Sequence, residues 1–257
     1  EKDPGEHTTI TITADLNVTS KIVIKNDITI TDDGKAHTIR IYNTSTNEDP
    51  FDSGKGFHQV EDAEGLFEIA ATAKGRLTIE GKRNSYSTYN RNALLYLEKA
   101  STNGKATTSL KNINIKNVKT STNYGAVLNS NGSVLDVENV SITGASAQRG
   151  SAIANSGETS VVNLKNGTEI TGNKNSYRLK GGAVYNMNGG TINISGTVNV
   201  SGNTDGGSNK YDISLTKPTE LVVTGNASGT VGVHYPAGEK AGNKFASVTS
   251  TSYTLPK

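Results

Sequence analysis

The chain has 257 residues, a formal net charge of +2, 33% hydrophobic residues and 28 glycines. Ser, Thr and Asn supply 84 of the residues, and Cys and Trp are absent. The missing cysteines exclude disulfides, Cys-containing zinc sites and thiol nucleophiles. The length suffices for one large core or two small ones. Low hydrophobicity alone would fit a disordered chain, but β-branched residues recur in short runs throughout, as in Thr9-Ile10-Thr11-Ile12-Thr13. No window sustains a 3.6-residue apolar period, which excludes an ordinary helical protein. No apolar run approaches a membrane span, and membrane insertion is not expected. No signal peptide opens the sequence, and Glu1-Lys2-Asp3-Pro4 reads as a cut within a longer protein.

In chain order, residues 1–64 carry strand patterns at 22–24, 28–30 and 39–41, expected to be first rungs or a cap over an open end. Asp32-Asp33 precedes Gly34, the composition of a turn held by local hydrogen bonds. Residues 43–64 read as a long polar loop holding Phe51, Phe57 and His58, a secondary candidate site or a lid over the flank.

From residue 65 an internal repeat sets in. Gly65-Leu66-Phe67-Glu68-Ile69-Ala70, Ala93-Leu94-Leu95-Tyr96-Leu97, Gly125-Ala126-Val127-Leu128-Asn129, Ser151-Ala152-Ile153-Ala154-Asn155, Gly182-Ala183-Val184-Tyr185-Asn186 and Tyr211-Asp212-Ile213-Ser214-Leu215 follow one another about 29 residues apart. Two further alternating strands follow inside each period, clearest in Thr191-Ile192-Asn193-Ile194 and Thr197-Val198-Asn199-Val200. Three short strands per period, with Asn-Gly and Ser-Gly corners, describe one coil of a parallel β-helix. A single coil cannot bury its inner face, whereas stacked coils can. Asn at corners can then stack into ladders. A β-sandwich also has short strands at this spacing, but it does not explain the in-phase repetition. The expected layout is one continuous all-β domain: a cap or first rungs at 1–64, repeats at 65–229, and a closing cap and linker at 230–257.

Gly181-Gly182-Ala183-Val184-Tyr185-Asn186, Gly189-Gly190-Thr191-Ile192-Asn193-Ile194-Ser195-Gly196 and Ser201-Gly202-Asn203 resemble the repeat of large Gram-positive cell-wall adhesins. Ile28-Thr29-Ile30-Thr31-Asp32-Asp33-Gly34 and Leu221-Val222-Val223-Thr224-Gly225 extend the resemblance over most of the chain. The resemblance implies a right-handed parallel β-helix, export to the bacterial cell surface, and tethering to peptidoglycan through parts of a parent protein. It carries over no catalytic residue and no cofactor.

Enzymes also use this architecture, so acidic pairs matter. Asp136 and Glu138 would lie on one face of one strand, the best carboxylate pair for a lyase or glycosidase, although a solvated outer face explains them as well. His7, His37, His58 and His234 have no metal-ligand spacing. No glycine-rich phosphate loop is present, and nucleic acid is not an expected partner.

The variable loops recur at one position of each coil, at 82–91, 119–124, 145–149, 173–181 and 203–210, and are expected to stack into a ridge. They hold nine basic residues against Asp205 alone. The candidate ligand-binding residues are Tyr86, Tyr89, Arg91, Tyr124, Arg149, Tyr177, Arg178, Lys180, Lys210 and Tyr211. Tyr rings stack on sugars, and Arg and Lys pair with acidic groups. The expected function is a non-enzymatic adhesin module binding a host glycan, acidic ones included, or an extracellular protein. A spacer stalk, whose loops are only solvated, is the alternative, followed by a polysaccharide lyase or glycosidase. Ice binding needs a regular Thr row, which Thr11/Thr13 and Thr29/Thr31 do not continue. Lys–Asn crosslinks would need a buried acid that sequence does not locate.

Overall fold

The computed structural model describes residues 7–25, 27–43, 56–59, 65–83, 93–98, 107–120, 124–175, 181–205, 210–216, 221–234 and 247–248. Among them every regular element is a strand, and the sheet ladders are parallel. The architecture is all-β and solenoid-like: fifteen strands form one curled sheet and eight form a second.

The curled sheet has two limbs. Face 1 stacks Thr8–Ile12, Ile28–Asp32, Leu66–Ala70, Thr107–Lys111, Val134–Glu138 and Val161–Leu164. Face 2 stacks Leu16–Val18, His37–Asn43, Leu77–Arg83, Ile113–Lys116, Ser141–Thr143 and Thr168–Thr171. Two eleven-residue strands, Thr191–Ser201 and Leu221–Val231, run through both limbs and join them. The second sheet is face 3: Lys21–Ile24, Gly56–Gln59, Leu95–Leu97, Val127–Ser130, Ile153–Ser156, Val184–Met187, Ile213–Ser214 and Val233–His234. The chain visits faces 1, 2 and 3 in turn, so each strand pairs with its counterpart one coil away.

Alternation decides what points inward. Leu66–Ala70 and Val134–Glu138 both bury every second residue. Phe67, Thr108, Leu135, Val162, Ile192 and Leu221 share one inward row of face 1. From Thr108 onward the steps in that row are 27–30 residues; Ile28 to Phe67 takes 39 and Phe67 to Thr108 takes 41, because long connections leave the early coils. Residues from all three faces form one core cluster, in which the Phe57 and Phe67 rings lie 5.9 Å apart. At the N-terminal end Ile10 and Leu16 hold inward register positions yet are 43% and 42% exposed, since no described strand stacks beyond them.

The corner that leaves face 2 requires a left-handed residue. Asn117, Gly144, Gly172 and Gly202 occupy it at φ of 58°, 66°, 65° and 68°, which Gly and Asn adopt at least cost.

Two elements differ from the sequence reading. Leu66–Ala70 belongs to face 1 and not with the Gly-Ala-Val-Tyr-Asn segments, which are face 3. The physical difference is burial: Leu66–Ala70 alternates, whereas Val127–Ser130 is buried on both sides. The missing face 3 partner is Gly56–Gln59, inside the segment expected to be loop.

Polar side chains also stack. Asn129 Nδ2 donates to Asn155 Oδ1 at 2.8 Å, and Asn155 Nδ2 donates to Asn186 Oδ1 at 2.7 Å, all three fully buried. The same amides donate to the carbonyls of Ser133 and Ser160, tying face 3 to the corner before face 1. Asn155→Ala is expected to cost about 2–3 kcal/mol in urea unfolding, because buried partners lose their bonds; Asn163→Ala, on the solvent side of face 1, is expected to cost under about 1 kcal/mol. Equal losses would contradict the ladder's role.

Candidate functional site

The loops between faces 2 and 3 stack as a narrow ladder of their own. Lys119 pairs with Ser146, Ser146 with Lys174, and Lys174 with Thr204, which in turn bridges to Lys210. This happens because the left-handed corner sends each coil out of face 2 in the same direction. Lys119, Lys174 and Lys210 are exposed along this edge. Lys119 and Lys174 stand two rungs apart, about 10 Å at sheet spacing.

Behind the ladder runs a buried polar column. Asn173 Oδ1 accepts from the Ala145 backbone N–H at 2.9 Å, and Asn173 Nδ2 donates to Asn203 Oδ1 at 2.9 Å. Asn203 in turn donates from its backbone N–H and its Nδ2 to Asp212 Oδ1, at 2.9 and 2.8 Å. Asp212 lies at a cavity of about 450 Å³, whose wall also includes Lys210, Thr230, Val233 and His234.

The candidate residues separate into groups. Tyr124 is half-buried and packs with Tyr96 against Ala93, Leu128 and Ala154; its carbonyl accepts from Thr120 Oγ1 at 2.7 Å. The Arg149 guanidinium lies over the Tyr185 ring, 5.9 Å from its centroid, a cation–π contact. Tyr211 is 8% exposed and meets His234 edge-on at 4.7 Å. Lys210 is exposed at the cavity. Tyr86, Tyr89, Arg91, Tyr177, Arg178, Lys180 and Phe51 lie outside the described residues. Phe57 is a core side chain, 3% exposed and facing Phe67, so it is no surface ligand contact.

His58 points the other way, onto the outside of face 3. It stacks on Tyr96 at 4.6 Å, and its Nε2 lies 3.0 Å from Glu98 Oε2. Tyr96 donates its hydroxyl to Glu98 Oε1 at 2.7 Å. The outward register of face 3 reads His58, Tyr96, Leu128, Ala154, Tyr185, Ser214 and His234. Leu128, Ala154, Tyr185 and Ser214 are buried despite facing outward. Face 3 is therefore double-sided, and the loop residues Tyr124 and Arg149 help cover it. Tyr96, Glu98, Tyr185 and Asp212 were not singled out from sequence as site residues, and His234 only as a histidine without metal-ligand spacing, although Tyr96 and Tyr185 at the fourth position of two of the six repeat segments signal the row.

Acidic pairs are engaged elsewhere. Asp136 accepts from Asn163 Nδ2 at 2.6 Å and from Lys165 Nζ at 2.7 Å, while Glu138 pairs with Lys111 at 3.6 Å. Burial pushes the Asp32 carboxyl up, but bonds from the Thr72 hydroxyl and the Thr72 and Gly34 N–H groups hold it below the usual range. Among the described residues no group of three His, Asp or Glu side chains is placed to hold a metal ion.

Burial pushes the imidazoles of His58 and His234 below their usual value, and at His58 the Glu98 bond opposes this only in part. Burial raises Asp212, with the Asn203 bonds and Lys210 working against it. Both histidines are lowered, so the unfolded chain binds more protons as pH falls through its value of about 6.5. Their contribution is complete above that value and is lost as pH drops toward the folded values. The thermal midpoint is expected to fall between about pH 7.5 and about pH 5.5, and the double variant His58→Gln with His234→Gln should flatten that slope. An unchanged slope in the variant would show that other groups set it.

Comparison with protein-family models, curated proteins and solved structures finds no match to this chain.

Proposed function

We propose that this chain is a right-handed parallel β-helix that serves as a non-enzymatic adhesin module on a bacterial cell surface. It binds a host or surface glycan, or an extracellular protein, along the edge between faces 2 and 3. Tethering to peptidoglycan is assigned to other parts of a parent protein. The observation that carries the reading is the in-register edge of Lys119, Ser146, Lys174 and Thr204, which leads to Lys210 and the cavity at Asp212.

The chemistry of that edge suits an extended ligand. Ammonium groups at regular intervals attract acidic sugars or carboxylates of a protein partner. The buried Asn173–Asn203–Asp212 column keeps the edge rigid, which limits the ordering cost of binding. Asp136 and Glu138 are each held by a lysine, an arrangement that supports binding over hydrolysis or elimination.

A spacer stalk is the second reading, and a specific observation favours it. Tyr124, Arg149 and Tyr211 pack against face 3 or its end and do not stand free. The two readings part on binding. The wild-type protein is expected to bind glycans or mucin on an array in a salt-sensitive manner, and the double reversal Lys119→Glu with Lys174→Glu should weaken binding at least about ten-fold. No binding by the wild type would leave the stalk reading. Binding indifferent to the double reversal would move the site off this edge.

A further inference from the structure

The polar column at the edge between faces 2 and 3 ends in a carboxylate, and among the described residues the hydrogen bonds to it fall on one oxygen. Both bonds from Asn203 fall on Asp212 Oδ1. The other oxygen, Oδ2, lies beside Gly232, where a Cβ would stand 2.1 Å away. A side chain at 232 would collide with that oxygen, so the glycine lets the carboxylate sit where it does. Asp212 is itself 6% exposed, is held by the column behind it and forms part of the cavity wall. The volume of about 450 Å³ falls within the usual range for small-molecule sites.

The wall's charges decide what fits. Lys210 and Asp212 sit at the same cavity. An anion drawn to Lys210 would meet the Asp212 carboxylate, and a cation drawn to Asp212 would meet the Lys210 ammonium. An uncharged polyhydroxy ring avoids both conflicts. Its hydroxyls can donate to the Asp212 carboxylate and accept from Lys210 Nζ and the Thr230 hydroxyl, while the His234 ring offers a surface for its C–H face. We infer that this cavity holds one uncharged sugar residue, a neutral hexose or N-acetylhexosamine, with Asp212 as the acceptor of its hydroxyls. The inference rests on the adhesin reading and names one unit of its glycan. The lysines along the edge then meet neighbouring groups of the same ligand.

The test titrates the full chain with methyl β-galactoside, methyl β-glucoside, methyl α-mannoside and N-acetylglucosamine, followed by saturation-transfer NMR and calorimetry. Glucuronate and glucosamine serve as the anionic and cationic arms. At least one neutral sugar is expected to bind at least about ten-fold more tightly than either charged sugar. Gly232→Ala and Asp212→Asn should each weaken it by at least about ten-fold, with thermal midpoints showing that both variants remain folded. The double reversal at Lys119 and Lys174 should leave binding of the single sugar within about two-fold. Failure of every neutral sugar to bind, tighter binding of a charged sugar, or indifference to both cavity variants would overturn the inference. If array glycans still bind and still depend on Lys119 and Lys174, the cavity inference falls and the adhesin reading stands. If the wild type binds no glycan and no mucin, the cavity inference and the glycan form of the adhesin reading both fall.

Discussion

Parallel, in-register stacking is the constraint on which everything else here depends. Each backbone strand bonds to its counterpart one coil away, about 4.8 Å along the axis. Every side chain is thereby set directly above a residue of the same rank. Where the row faces inward, the result is an aliphatic column such as Ile79, Ile115, Ile142 and Ile170. Where it faces outward, like charges would be stacked and would repel. The sequence avoids that outcome. The outward row of face 1 runs Thr29, Glu68, Ser109, Asp136, Asn163 and Asn193, with Glu68 accepting from Thr29 and Ser109 on either side. On face 2, Arg40 lies between Asp15 and Glu80 and pairs with both.

Asparagine is suited to the same constraint in the interior. Its side chain has a donor and an acceptor, so a column of identical residues satisfies itself, each amide donating to the next. The face 3 column begins at Asn129, because the preceding rung has Leu97 at that register position. The corner column ends at Asp212, whose carboxylate only accepts. A column of self-satisfying amides is neutral along its length, and the cavity lies beside the carboxylate that ends it.

Face 3 shows how the same geometry makes a two-sided sheet. Its inward residues join the main core, while Leu128 and Ala154 belong to a separate cluster on the other side. Tyr124 and Arg149, which lie in the chain between faces 2 and 3, pack against that outer side.

The all-β class, the stacked coils, the period near 29 residues and the Asn ladders were legible in the sequence, because alternation and repeat spacing are local properties that a residue carries with it. The left-handed corners were legible for the same reason, as Asn and Gly recur where the backbone must turn. The phase of Leu66–Ala70 and the strand Gly56–Gln59 were not, since assigning a strand to a face depends on its partner 35 to 41 residues away. Along the edge, Lys119, Lys174 and Lys210 were legible as loop lysines and are exposed, whereas Tyr124 and Tyr211 pack against face 3 or its end. Whether Tyr211 greets solvent or packs on His234, and whether Asp212 caps a column beside an opening, depends on which coil lies above. Only the tertiary structure decided these points, because burial of a side chain in a stack is set by its neighbours along the axis and not by its neighbours in the chain.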